Sequence, residues 1–127
     1  FREIPEWTDW IGGAWTDGVS MHPPIADSHV EVRTDTHPIV AGFTDFDLYD
    51  EMYSFLELRP GNAVLATHRF EERDHPLIWA REAGSRRAVY DALGHSVRAY
   101  DSVERIRLLQ REALWVTGAD DAAISRV

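Results

Sequence analysis

Apolar positions along the chain switch between helical and strand spacing, and each switch marks an element. Pro5 followed by Trp7, Trp10 and Ile11 at intervals of three and four, with Gly12-Gly13 behind them, predicts a short amphipathic helix with an aromatic apolar side and a glycine stop. Residues 15 to 28 hold Gly, Ser, Asp and two Pro without a period and read as a loop. Val30 and Val32 then alternate with Glu31 and Arg33, a strand at about 29 to 34.

Residues 36 to 62 are dense in Asp, Pro, Gly and aromatics and have no sustained period. They are too long for an ordinary connection, which points to functional surface. Arg59-Pro60-Gly61-Asn62 reads as a turn and Ala63 to Thr67 as a strand buried on both faces. A polar hairpin-like tip, Arg69 to Asp74, leads to Pro76-Leu77-Ile78-Trp79-Ala80, and Ala88 to Leu93 forms a further strand ending at Gly94-His95. In the last helix Asp101 or Ser102 is the cap and Glu104 reaches back to it. Val103, Ile106, Leu109, Ala113 and Val116 make the repeating stripe, and Gly118 is the stop. The chain thus divides into residues 1 to 118 and a frayed tail or linker, 119 to 127, with no internal repeat.

Composition narrows the chemistry. The chain has 127 residues, 44% hydrophobic and 28% charged, as expected of one soluble globular domain. Its net charge of -9 repels phosphate backbones, so nucleic acid is excluded as a partner. All 13 basic residues are Arg, which removes Schiff-base and phosphate-loop chemistry that needs a lysine. Zero Cys removes disulfides, a thiol nucleophile and thiolate metal ligands, so a metal could be held only by His, Asp and Glu. No apolar run approaches the roughly 20 residues that cross a bilayer, and no signal peptide is visible. Cytoplasmic residence is the default expectation, and a first residue Phe1 points to a processed, cut or missing N-terminus.

His22, His37 and His75 each precede proline, which forces extended backbone. For His37 and His75 a strand or loop boundary explains the pattern, whereas His22 lies in a glycine- and proline-bordered loop with no other evident duty. His95, after a glycine at the carboxyl end of an apolar strand, is placed where α/β folds collect ligands. The alternative is a histidine that caps the strand or bonds a nearby loop. Asp50 and Glu51 are adjacent carboxylates flanked by Tyr49 and Tyr53; on extended backbone they point to opposite faces, so one alone can address a given site. Asp91, inside an apolar strand, needs a partner such as Arg. Trp79 and Trp115 fall in core patterns, while Trp7, Trp10 and Trp15 are open to either core packing or stacking on sugar faces.

Several segments, taken in order, resemble the ThuA-like, or trehalose-utilisation, family. They are Trp10-Ile11-Gly12-Gly13, Met21-His22-Pro23-Pro24, His37-Pro38-Ile39 with Gly42-Phe43, and Asp50-Glu51-Met52-Tyr53. Val64-Leu65-Ala66, Pro76 to Glu82, Val89 to His95 and Leu114-Trp115 follow, over about residues 5 to 118. The resemblance implies an α/β fold, part of a flavodoxin-like three-layer sandwich of the class I glutamine amidotransferase-like kind, with its N-terminal half absent and a sheet edge and half a core exposed. It implies a pocket in which His95, Asp50 and Glu51 are catalytic and His22, Trp15 and Tyr53 bind substrate, with His22 and His95 as candidate ligands of a divalent metal ion. The substrate implied is trehalose or a related sugar or oxidised sugar. Implied partners are that small molecule, the missing half, another subunit or a second copy, and no membrane. The alternative is a non-catalytic sugar-binding or assembly module: the family commonly has Asp after the late Gly-His, and here Ser96 stands there. Amidotransferase activity is set aside for want of Cys.

Overall fold

The computed structural model describes residues 4–34 and 36–127; Phe1 lies outside them. Helix α1, Pro5–Ile11, has proline in its first turn and ends on Gly12, whose φ of 83° is the left-handed cap that glycine adopts without strain. Strands β1 (Gly13–Ala14) and β4 (Glu57–Leu58) form a small antiparallel ribbon beside it. The main sheet has five strands in the order β3, β2, β5, β6, β7. These are β2 (Ala26–Val32), β3 (Phe46–Asp50), β5 (Ala63–Phe70), β6 (Arg73–Ala83) and β7 (Arg86–Asp91). A 3-10 turn, Val97–Asp101, leads to α2 (Val103–Val116) and a short α3 (Asp121–Ile124).

The α/β class is as expected. Every ladder among the described residues is antiparallel, however, so the parallel sheet that a flavodoxin-like sandwich implies is not formed by these strands. The stretch 36 to 62 contains β3 and β4, which its mixed composition concealed: of the inward positions on β3, Phe46 and Leu48 are apolar but Asp50 is charged. β2 begins at Ala26, earlier than the valines indicate, because it pairs with β3 from Ala26 opposite Asp50 to Val30 opposite Phe46. His75-Pro76 is no boundary either. It lies inside β6, where His75 is buried.

Leu77, Ile78, Trp79 and Ala80 are all buried, so β6 is covered on both faces. Trp79 stacks on Tyr90 with ring centroids 4.2 Å apart and donates its indole N–H to the Ile11 carbonyl at 2.7 Å, which ties α1 to the sheet. The main core joins Val30, Leu48, Leu65, Leu77 and Ile78 to Ile39 and Val40 of a turn, to Leu108 and Trp115 of α2, and to Ile124. Residues 119 to 127 are therefore not a frayed tail. Asp120 caps α3, accepting from the Ala123 N–H, and Ile124 is completely buried.

α2 starts as expected, with the Ser102 hydroxyl accepting the Arg105 N–H at 3.2 Å; Glu104 is bonded to the Ser102 side chain rather than to its backbone. Its orientation is the surprise. Val103, Ile106, Leu109 and Val116, the repeating stripe, are 64%, 42%, 43% and 41% exposed, while Arg105, Leu108, Arg111, Glu112 and Trp115 face inward. The inward polar groups are paired in part: Arg105 lies 2.6 Å from Asp91, the arginine partner that carboxylate needed, and Arg111 donates to the Ala41 carbonyl at 2.7 Å, while Arg105 Nε, Arg111 Nε and Glu112 Oε1 are buried without a hydrogen-bond partner.

Candidate functional site

Four segments distant in sequence meet at the end of β3. The loop after β1 is folded by its own hydroxyls: the Thr16 N–H donates to Ser20 Oγ, and the Ser20 hydroxyl donates to the Phe55 carbonyl, each at 2.9 Å. Met21 and Ser54 then form an isolated antiparallel bridge, with N–H to carbonyl distances of 3.1 and 2.7 Å. This bridge sets His22 beside Tyr53. Trp15 packs edge-on against Tyr53 with centroids 5.1 Å apart, and the His22 ring lies 5.8 Å from Tyr53.

Behind Tyr53, two buried histidines hold the same segment. His68 Nε2 lies 3.1 Å from both the Tyr53 carbonyl and Ser54 Oγ, and His75 Nδ1 accepts the Phe55 N–H at 3.1 Å. Burial pulls the His68 pKa below its ordinary value, which keeps the ring neutral. Composition had not singled out His68, and one histidine in an apolar strand carries no signal of a loop it will anchor.

Asp50 and Glu51 divide as extended backbone requires. Asp50 is 1% exposed, and its oxygens accept three backbone N–H groups, from Glu51, Gly94 and His95. It cannot reach a ligand, so the catalytic role expected of it gives way to positioning: it fixes the turn that carries His95. Glu51 points the other way. Its Oε2 is 3.2 Å from His95 Nδ1 and its Oε1 is 3.7 Å from His22 Nδ1, with the Glu51 side chain 14% exposed and the imidazoles 51% and 38%.

Partner chemistry assigns the ring protons. His22 Nδ1 also lies 3.0 Å from the Pro23 carbonyl, an acceptor only, so its δ nitrogen carries hydrogen; the carboxylate beside His95 Nδ1 selects the same tautomer. Each neutral ring then keeps its lone pair on Nε2, the nitrogen left to act as a base. Burial, and after it the charges of Glu51 and Asp50, raise the Tyr53 pKa, so the phenol stays protonated and able to donate.

Five of the six expected residues, Trp15, His22, Glu51, Tyr53 and His95, thus share one surface, with Asp50 beneath it. The divalent ion fits less well. Among the described residues no three His, Asp or Glu side chains stand so as to hold a metal ion, and Asp50 is committed to backbone amides. The Ser96 hydroxyl, next to His95, is buried without a hydrogen-bond partner. An apolar hollow of about 310 Å³, lined by Asp9, Trp10, Arg81, Ala83, Arg86, Arg87 and Ala88, shares no residue with this cluster.

A family model described as ThuA, trehalose utilisation, matches residues 2–116. Among solved structures the chain is similar to a ThuA-like protein from Parabacteroides merdae ATCC 43184, with a TM-score of 0.75 and 19% identity over 94% of this chain and 57% of that one. It is also similar to a ThuA-like protein from Bacteroides uniformis ATCC 8492, with a TM-score of 0.73 and 18% identity over 94% of this chain and 54% of the other. At such identities the likeness is one of fold, and the chain spans little more than half the length of each. No curated protein matches the chain.

Proposed function

Since the chain belongs to the ThuA family, whose description is trehalose utilisation, we propose that the His22, Glu51 and His95 cluster is a carbohydrate site that moves a proton on a sugar or oxidised sugar. One observation carries the reading: imidazoles from two remote segments face the two oxygens of a single, largely buried carboxylate, beside an aromatic pair. In this reading a sugar ring lies against Trp15 and Tyr53, whose apolar faces suit its C–H surface. His95 Nε2 takes a proton from a hydroxyl, or from a carbon next to an oxidised position. Glu51 orients the ring and balances the imidazolium that results. His22 Nε2 is the second acceptor and the Tyr53 hydroxyl a donor.

The test is an NMR titration of the 127-residue chain with trehalose, glucose and their carbonyl-bearing oxidation products. The Trp15 indole and the His22 and His95 ring signals shift on addition of at least one of them, and Glu51→Gln and His95→Ala weaken the response. Sugars that move none of these signals at millimolar concentration overturn the proposal. A second reading, a binding or assembly module without turnover, draws on Ser96, which stands where the family resemblance leads one to expect Asp and whose hydroxyl has no partner. Binding of a sugar with no product formed, in wild type as in His95→Ala, selects it.

A further inference from the structure

One face of the hairpin formed by β6 and β7 carries a hollow that the cluster at the end of β3 does not use. Trp79, Arg81 and Ala83 of β6 alternate on this face, opposite Tyr90, Ala88 and Arg86 of β7. Helix α1 covers the first of these pairs, tied down by the bond from the Trp79 indole to the Ile11 carbonyl. The next two pairs, with Trp10 of α1, line a chiefly apolar hollow of about 310 Å³. Ala83 and Ala88 have no bulk to fill it, and Trp10, 55% exposed, leaves an indole uncovered beside it. A concave apolar surface with an open aromatic face is the usual form of a small-molecule site.

The charges around the hollow select its occupant. Asp9 is paired with Arg59 at 3.1 Å, and Arg87 with Glu82 at 2.9 Å. Arg81 donates to neutral oxygens, the Pro60 carbonyl at 2.8 Å and Asn62 Oδ1 at 3.0 Å, so its charge meets no carboxylate. Arg86 is exposed and makes no hydrogen bond or ion pair among the described residues. In a chain with 22 acidic side chains against 13 arginines, two arginines without a carboxylate at one hollow mark a place for an anion from outside. A guanidinium fork takes a carboxylate through two N–H groups, and an indole face takes a flat ring. A sugar is poorly served there, because its hydroxyls would meet apolar surface, cations and a carboxylate already paired. We propose that this hollow is a second binding site, for an aromatic carboxylate of one or two rings. The rings lie against Trp10, Ala83 and Ala88; the carboxylate bonds to Arg86 and is attracted by Arg81. The volume stands at the small end of the roughly 300–1,000 Å³ of ligand sites, which sets the limit on ring number. The proposal does not rest on the sugar reading, since the hollow shares no residue with that cluster.

The 127-residue chain is titrated by NMR with naphthoate, naphthalenemethanol and glucuronate, which supply ring and charge, ring alone, and charge on a sugar. Naphthoate shifts the Trp10 indole N–H and the Arg86 side-chain signals and leaves the His22 and His95 rings unmoved. It binds at least about tenfold more tightly than either of the others, as a charge-assisted bond added to a stacked ring requires. Arg86→Gln brings naphthoate down to the affinity of the alcohol, with an unchanged thermal midpoint because this exposed side chain holds nothing in the fold. Trp10→Ala weakens both ring compounds. Naphthoate that moves neither signal at millimolar concentration overturns the proposal. Equal affinity for the alcohol overturns it too, reducing the hollow to an apolar patch, and equal affinity for glucuronate does so by making it a site for sugar acids. Undiminished naphthoate binding in Arg86→Gln puts the anion elsewhere and is equally decisive against it.

Discussion

The backbone N–H of His95 donates to Asp50 Oδ1 at 3.0 Å across 45 residues of chain, and this bond, with its neighbour from Gly94, sets the height of the imidazole over Glu51. A buried carboxylate accepting several amides is a strong fixture, because a charged acceptor roughly doubles the strength of each bond. Asp50 acts on the site only through the turn it holds.

Asp50→Asn turns one acceptor oxygen into a donor facing backbone N–H groups. It is expected to cost about 1–3 kcal/mol, the range for leaving a buried donor unsatisfied. Urea denaturation measures the loss, and the His95 ring signal moves with it. Glu51→Gln, by contrast, leaves stability within about 1 kcal/mol, as for a partly exposed ion pair, while weakening any sugar response.

Gly94 has φ of 103°, and a Cβ there would stand 2.5 Å from the Tyr100 hydroxyl oxygen. Gly94→Ala is therefore expected to lose roughly 1–3 kcal/mol from backbone strain and displacement of Tyr100. His95 shifts away from Glu51. Paired Gly94→Ala and Tyr100→Phe variants separate the two causes: if removing the hydroxyl restores full stability, backbone strain is not the cause.

Glu112 and Asp91 are buried together beside Arg105, and burial, then the Asp91 charge, push the Glu112 pKa well above its ordinary value of 4.5. The folded chain holds this proton where the unfolded chain has released it. The contribution of Glu112 is thus fully present below about pH 4.5 and declines as pH rises towards the folded-state pKa. Glu112→Gln keeps a neutral hydrogen-bonding group in place. Denaturation midpoints measured from pH 5 to 8 are expected to fall less steeply with pH in this variant, and at pH 8 it is the more stable protein. Parallel slopes for the two proteins contradict the assignment.

Glu71 and Glu72 occupy the two-residue tip between Phe70 and Arg73, with φ of 46° and 61°. Two adjacent carboxylates in left-handed backbone are a poor choice for a turn that favours Asn-Gly. Replacing the pair by Asn-Gly is expected to stabilise the chain by about 1 kcal/mol without touching the site. Thermal melts of the two proteins decide it.

Local pattern made a good deal of this legible. Trp79 and Trp115 lay in apolar repeats and are core; Pro5 and Gly12 bracketed α1; Ser102 began α2. Each depends on neighbours a few residues away, which is the range over which backbone preference and periodicity act. The candidate site was legible in part, because histidines and paired carboxylates in loops are conspicuous. Alternation on extended backbone also established that Asp50 and Glu51 would part company.

Which of the two would face outward, and which side of α2 would face in, was decided only in three dimensions. Asp50 turns inward because Gly94 and His95, far along the chain, bring unsatisfied N–H groups to it. α2 presents Arg105 and Glu112 to the interior because Asp91 is already buried there and must be paired, and that requirement outweighs the exposure of four aliphatic side chains. The sequence by itself determined the helices α1 and α2, the strands around Ala63 and Ala88, the α/β class and the residue types available for chemistry. Tertiary structure determined their roles, because a buried charge is stabilised by its partner in space, and no local period records where that partner will be.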